Sequence, residues 1–323
     1  MPEGPEVRKH AAAIHKALAG KPIEVFTART KGARLWLQEH PNILIGKRVE
    51  QVYSHGKHLI GILQDGFYFH SHLMMWGRWQ VLPNTEPIPV DRRERARIAT
   101  ADVIAILFSA PVFEVGQGNP VEQVEYLGSL GPDILPYHGS FDTEAFLNRL
   151  LKSENQQRTV GAALLDQQIV AGIGNYLRAE ILFDCRLDPW KRVSDLEQSA
   201  IDCLCRSIPL MAQRAYITSA TVPDDLRTRM KGDDSLVYRP GREYGTRHYV
   251  FRRTNLPCLH CGDIVRQLRQ VTREDEEGER TRIIYFCPTC QGTSVELKKP
   301  RAKSKPQVKP DKTEAAPTRK RAG

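Results

Sequence analysis

The residues with the most chemical potential sit towards the two ends of the chain. Met1-Pro2-Glu3-Gly4-Pro5-Glu6 puts an imino acid and two carboxyl groups within six positions. With Met1 removed, Pro2 carries a terminal secondary amine whose ordinary pKa is about 7.7 to 8.0, so a usable unprotonated fraction exists at neutral pH. Such an amine attacks an electrophilic carbon and yields an iminium ion, the kind of electron sink that lysine Schiff bases provide. Taken alone, Pro2 also reads as the proline that leads a helix, and composition by itself favours that reading. Near the other end, Cys258-Leu259-His260-Cys261 and Cys287-Pro288-Thr289-Cys290 form two C-x2-C units separated by 25 residues. Four thiolates at that spacing suit one tetrahedral Zn2+ ion. A four-cysteine shell leaves no open position for water or substrate, so the expected metal is structural. His260 could compete as a ligand, but the four cysteines already complete the shell.

These residues need a framework, and the apolar patterning supplies one. Pro5 suits a first helical turn, and Val7, Ala11, Ile14 and Leu18 repeat at helical spacing before Gly20. Strand patterns follow at 23–27, 48–54, 59–63, 67–73, 78–82 and 97–108, with Asp65-Gly66 as a hairpin turn. An antiparallel sandwich fits the chain up to Pro136. Beyond it the period becomes helical. Asp142 caps a helix with Phe146, Leu147, Leu150 and Leu151, and Ser194 to Glu197 reads as a capping box for another. Between them Ala171-Gly172-Ile173-Gly174-Asn175 leads into an Asn-capped helix, whose free N–H groups could face an anion such as a phosphate; a tight interhelical loop explains the turn equally well. The two Cys pairs are joined by strands at 264–272 and 282–286 around an acidic loop at 274–279. Cys185, Cys203 and Cys205 lie in apolar helical surroundings and read as buried reduced thiols.

Composition excludes some classes. No apolar run approaches the roughly 20 residues of a membrane span, and the N-terminus lacks a secretory pattern. An intracellular protein is expected, in the cytoplasm or nucleoid of a bacterium, or in the nucleus or an organelle of a eukaryote. The net charge is +9, but between 298 and 323 ten Lys or Arg stand against Asp311 and Glu314, an excess of +8. That segment reads as a disordered polycationic arm. The body is nearly neutral, and Arg239, Arg242, Arg247, Arg252 and Arg253 form its best candidate patch for nucleic acid; a solvated surface is the equal alternative.

Taken in order, the Pro2–Glu6 motif, Gly56-Lys57, the Gly172–Asn175 turn and the four-cysteine ribbon resemble the formamidopyrimidine-DNA glycosylase and endonuclease VIII family over nearly the whole folded chain. The resemblance implies a multidomain α+β fold: an N-terminal catalytic β-sandwich with a leading helix (1–136), a helix-two-turn-helix DNA-binding domain (137–238), a zinc ribbon (239–296) and the basic tail (297–323). It also implies a monomeric bifunctional glycosylase and abasic-site lyase acting on damaged double-stranded DNA. Pro2 is then the nucleophile, reversing the preference from composition. Glu3 is the expected general acid, and Glu6 holds or relays protons, although a helix N-terminal charge remains its equal reading. Lys57, Asn175 and Arg282 carry over as phosphate contacts without sequence readout. Met74, Met75 and Trp76 lie at the family's inserting loop and are candidates to fill the gap left by a flipped base, with core packing as the alternative for so apolar a triplet. Here the chain departs from the Gln-Leu-Tyr typical of the endonuclease VIII branch.

The purine-repair branch typically carries a DxRRFG motif. The stretch Phe108-Ser109-Ala110-Pro111-Val112-Phe113-Glu114 lacks it, and 158–167 resembles the endonuclease VIII side. Oxidised pyrimidines are therefore the expected substrates and oxidised purines such as 8-oxoguanine the runner-up. A non-catalytic zinc-ribbon protein that binds damaged DNA is the reading from a different class.

Overall fold

The computed structural model describes residues 2–85, 87–89, 91–276 and 278–296, so the expected arm at 297–323 lies outside the described residues. Helix α1 (Gly4–Leu18) buries the stripe Val7, Ala11, Ile14 and Leu18, and the chain leaves it through Gly20 at φ +78°. Two antiparallel four-stranded sheets follow. One runs in the order β1 (Val25–Ala28), β6 (Glu94–Ala99), β7 (Val103–Phe108), β5 (Arg78–Pro83); the other runs β2 (Val49–His55), β3 (His58–Leu63), β4 (Phe67–His72), β8 (Val112–Gln117). Their facing residues, including Phe26, Trp79, Ile98 and Leu107 against Leu59, Phe69, Phe113 and Val115, share one core with the α1 stripe. The Asp65-Gly66 turn closes β3 onto β4 with both residues at positive φ (63° and 73°).

The sandwich differs from its sequence reading in three places. The single strand expected at 97–108 is two, β6 and β7, which turn back at 100–102 where Thr100 N–H bonds the Val103 carbonyl at 2.9 Å. Helix α2 (Lys31–Glu39) and strand β8 gave no clear periodic signal. In α2 only Ala33 is fully buried, and β8 alternates over just six residues, too few to stand out from their flanks.

After the short α3 (Pro120–Gln123), the helical region comprises α4 (Thr143–Leu150), α5 (Val160–Ala163), α6 (Asn175–Asp184), α7 (Gln198–Thr218) and α8 (Asp224–Lys231). Asp142 caps α4 through the Ala145 N–H at 2.9 Å, as read from sequence. The Ser194 capping box does not form. Ser194 lies in a 3-10 turn bonded to Asp195, and Glu197 occupies the N-cap position of α7. The helix at 175 is capped by Gly174, with Asn175 as its first residue rather than its cap. Cys185 and Cys203 are joined in a disulfide that ties the end of α6 to α7, so two of the three thiols expected to be reduced are paired; Cys205 is free. All three are only partly buried rather than buried, beside the exposed Asp184, Arg186, Asp202 and Arg206, and the sequence carried no information on which helix faces which.

The ribbon β9 (Arg266–Asp275) and β10 (Gly278–Phe286), followed by α9 (Pro288–Gln291), packs into the helical core through Val265, Ile284 and Cys287. Glu180 on α6 pins the approach to it. Its buried carboxylate accepts from Thr221 Oγ1 and from the N–H groups of Tyr249, Val250 and Phe251 at 2.7–2.9 Å. Among the described residues no helix is long and apolar enough to cross a membrane.

Candidate active site

The start of the chain is locked into the far side of the molecule. Glu3 Oε2 accepts from Gly174 N (2.8 Å) and Leu177 N (3.1 Å), and Oε1 accepts from Tyr176 N (2.8 Å). Gly4 N–H adds a bond to the Gly172 carbonyl at 2.9 Å. Where the sequence left a phosphate site and a tight interhelical loop as equal readings, the N–H groups of Gly174, Tyr176 and Leu177 at the start of α6 bond a carboxylate that begins 171 residues away. The helix dipole still selects an anion; the protein supplies it. This approach demands glycine at 174, where a Cβ would sit 2.4 Å from the Glu3 carboxyl carbon. It demands glycine at 56 as well, at φ +56° and with a Cβ position only 2.8 Å from that of Ala171. The Gly56-Lys57 turn between β2 and β3 thus abuts the turn before α6, and residues from both halves of the chain meet at one junction.

The electrostatics of that junction are governed by burial. Glu3 is 3% exposed, and desolvation pushes its pKa up to about 7 against the opposing pull of the Lys57 ammonium and the α6 N–H groups. Lys57 is 7% exposed, and burial brings it down to about 8, with Glu3 resisting and Arg282 adding to the fall. Two groups that would both be charged in water are each drawn toward neutrality near pH 7. Glu6 is also raised by burial; its carboxylate accepts from the Glu3 N–H at 2.9 Å and from Tyr176 Oη at 3.1 Å. Its helix-capping role and its place beside Glu3 coincide. Pro2 directly precedes this pinned carboxylate and is partly exposed.

Sequence reasoning missed Arg178. Its guanidinium is fully buried, donating from Nη2 to Asn175 Oδ1 (2.8 Å) and to the Ile283 carbonyl (2.9 Å), and from Nη1 to the Gly161 carbonyl and Gln270 Oε1. With its oxygen committed, Asn175 has its amide hydrogens left to donate elsewhere. The same guanidinium clamps β10 one residue from the exposed Arg282, so two candidate phosphate contacts from different elements share one support. A signal existed: Arg178 and Glu180 interrupt an otherwise apolar helix, a pattern that calls for buried partners.

Met74, Met75 and Trp76 form the turn between β4 and β5 and are 44%, 58% and 80% exposed, whereas Leu73 beside them is 1% exposed. Core packing is thus excluded for the triplet and holds for its neighbour. An exposed apolar tip on a short turn is suited to insertion into an apolar or stacked partner. Of the basic stretch at 239–253, Arg253 is a structural residue: it is fully buried and bonds the carbonyls of Leu236, Tyr249 and Pro257. Arg239, Arg242 and Arg252 remain exposed.

Away from the junction, Cys258, Cys261, Cys287 and Cys290 bring four Sγ atoms within 4.8 Å of one another. Cys258 to Cys290 is 3.8 Å and Cys261 to Cys287 is 3.4 Å. Tetrahedral bonds of about 2.3 Å to Zn2+ require sulfur separations near 3.8 Å, so the donor set fits a metal ion. His260 is not in the group; its Nδ1 lies 3.9 Å from Cys290 Sγ.

Comparison with known proteins adds to this geometry. Residues 1–111 match the model of the formamidopyrimidine-DNA glycosylase N-terminal domain, and residues 130–222 match that of the formamidopyrimidine-DNA glycosylase H2TH domain. The chain is 30% identical over 294 residues to Endonuclease 8 of Klebsiella pneumoniae, covering 90% of this chain and all of that protein; Endonuclease 8 of Shigella sonnei is 30% identical over 292 residues. Among solved structures, Lactococcus lactis Fpg in complex with DNA containing an abasic site superposes with a TM-score of 0.68 at 23% identity, covering 90% of this chain and 99% of that one. The same enzyme with DNA containing an oxidised pyrimidine gives 0.66, also at 23% identity.

Proposed function

The chain belongs to the formamidopyrimidine-DNA glycosylase and endonuclease VIII family of base-excision DNA glycosylases with abasic-site lyase activity, and from that premise we propose that Pro2 is its nucleophile, Glu3 its general acid and oxidised pyrimidines its preferred lesions. The observation that carries the chemistry is the buried Glu3 carboxyl with its pKa near 7 immediately beside the chain start. The unprotonated Pro2 nitrogen attacks the anomeric carbon of the damaged nucleotide. The carbon–base bond breaks, the base leaves with its electron pair and takes up the proton shed by the Pro2 nitrogen, and Glu3 protonates the ring oxygen as the sugar opens to the iminium. The resulting iminium acidifies the neighbouring carbon, and loss of a proton there expels the 3′ phosphate. Lys57, Asn175 and Arg282 hold the flanking phosphates, while Met74, Met75 and Trp76 occupy the space of the extruded base.

The four cysteines take one Zn2+ in a structural role, fixing the strand end that presents Arg282. Cys287→Ala is expected to lose the metal and weaken DNA binding about tenfold or more, because Val265, Ile284 and Cys287 bury themselves in the helical core rather than forming a core between the ribbon strands. Metal content by mass spectrometry and binding by fluorescence anisotropy check this together. Unchanged affinity in a zinc-free variant would refute the organising role.

The lesion preference rests on what fills the vacated space. Residues 109–114, where the purine branch carries its arginine-bearing loop, contain no arginine, and here Ala110 and Phe113 are buried in the sandwich core. With no arginine in that stretch, the apolar tip must fill the gap itself and cannot read the hydrogen-bonding edge of the partner base, so opposite-base discrimination should be weak. Oxidised pyrimidines that have lost aromatic stacking also cost less to extrude than a stacked 8-oxoguanine. Single-turnover rates on thymine glycol, dihydrouracil and 8-oxoguanine, each opposite all four bases, test this. Faster cleavage of 8-oxoguanine opposite cytosine, with strong rejection of adenine, would assign the enzyme to the purine branch instead.

A further inference from the structure

On the outer face of the second sheet lies a row of imidazoles that the chemistry above does not use. His58 on β3 is the direct cross-strand partner of His72 on β4, and His70 on β4 is the partner of Glu114 on β8. Glu114 Oε2 lies 2.9 Å from His70 Nδ1, and His70 Nε2 lies 3.0 Å from His58 Nδ1. The His58 ring then meets the His72 ring at 4.7 Å in an edge-to-face contact, and Tyr126 covers the row from the segment after α3. At the far end His72 Nδ1 accepts the Met74 N–H at 3.1 Å.

The partners constrain the rings. A carboxylate accepts, so His70 Nδ1 carries the hydrogen donated to Glu114. His70 Nε2 and His58 Nδ1 share one hydrogen across their 3.0 Å contact. His58 and His72 are held neutral by burial, with neighbouring imidazoles and Lys57 reinforcing the effect. Because His72 Nδ1 accepts from the backbone, its own hydrogen sits on Nε2. Each ring in the row is therefore held in orientation by a hydrogen-bond partner. The end of the row bears on Met74, which has φ +51°, a left-handed conformation that few side chains other than Asn, Asp and Gly adopt readily.

We propose that Glu114, His70 and His58 are positioning residues for base extrusion: their hydrogen-bonded chain braces His72, and His72 holds the left-handed Met74 that starts the inserting turn. This rests on the reading of Met74, Met75 and Trp76 as the inserting element. A strained turn that enters a base stack must not relax as it is pushed, and an anchored first residue supplies that stiffness. Strand cleavage at an abasic site that already exists has no base to extrude and depends on the brace far less.

The test compares two activities of the full-length protein. One is single-turnover excision of thymine glycol from duplex DNA; the other is cleavage of a duplex with a preformed abasic site. Fluorescence of 2-aminopurine next to the lesion reports unstacking. His72→Phe, which keeps the ring but not the acceptor, should slow excision and the fluorescence change about tenfold, and Glu114→Ala about threefold to fivefold, with abasic-site cleavage within about twofold of wild type. Glu114→Gln retains an acceptor and should restore excision. Thermal melting guards against misfolding, and the partly exposed Glu114 provides the informative variant if His72→Phe does not fold. Equal loss of both activities in the folded variants would overturn the proposal, as would full excision by His72→Phe and Glu114→Ala while Trp76→Ala is impaired. Full excision by Trp76→Ala would remove the inserting-element reading itself, and this proposal with it.

Discussion

Borohydride will trap the Met-free protein covalently on DNA containing thymine glycol and will leave a form that retains Met1 untrapped. The physical reason is the lone pair. Once Pro2 nitrogen is acylated by Met1, resonance delocalises that pair into the carbonyl, and the nitrogen is no longer a nucleophile. The junction adds a steric reason, because the backbone two residues further on is already bonded to the Gly172 carbonyl and Glu3 is fixed to α6. Strand nicking by the Met1-retaining form should fall by at least ~10³-fold, the scale of removing a covalent catalyst's nucleophile. Pro2→Ala, processed to a primary amine, should retain activity reduced by roughly tenfold or more, since it still forms an imine but a less electron-deficient one. Trapping and nicking at wild-type levels with Met1 verified in place by mass spectrometry would exclude Pro2.

Glu3→Gln should reduce single-turnover base excision by about 10²- to 10⁴-fold, the range for loss of a general acid. The introduced amide would still accept hydrogen bonds from α6 through its oxygen but could not deliver a proton to the opening sugar. The pH dependence distinguishes this role from a structural one. With its pKa near 7, Glu3 is protonated below neutrality, so excision by wild type should fall as pH rises through about 7, while the amine of Pro2 makes it fall at lower pH. The variant's residual activity should lack the alkaline fall due to Glu3. Stability carries a related signature. A buried carboxyl raised from 4.5 to about 7 stabilises the fold fully below pH 4.5, and that contribution is lost as pH rises through 7. Over that window Glu3→Gln should therefore gain stability relative to wild type, by an amount on the order of 3 kcal/mol. A pH-independent difference between the two proteins in urea unfolding would mean that Glu3 is ionised throughout and cannot serve as the acid.

The sequence by itself determined the pieces whose causes are local. The stripe Val7, Ala11, Ile14 and Leu18 required a helix, Asp65-Gly66 required a tight turn because both residues tolerate positive φ, and the spacing of the two C-x2-C units pointed to a shared four-thiol cluster, which the fold brings together. The order of its motifs also pointed to the family, since each motif is contiguous in the chain. The tertiary structure decided everything that depends on a partner far away in sequence. The Gly172–Asn175 turn was legible as an anion site or a tight interhelical loop alike, but not that the Glu3 carboxyl would fill it. Arg178 and Glu180 were visible as charges in an apolar helix, but not that one would hold Asn175 and the ribbon while the other held 249–251. Arg253 looked like a DNA contact until three carbonyls enclosed it, and Met74, Met75 and Trp76 kept core packing as an alternative until the turn carried them outward. Cys185 could not declare Cys203 as its partner. The division follows from the physics: backbone preferences and periodicity act within a few residues, whereas desolvation, which raises the pKa of Glu3 and lowers that of Lys57, exists only once both halves of the chain have closed around them.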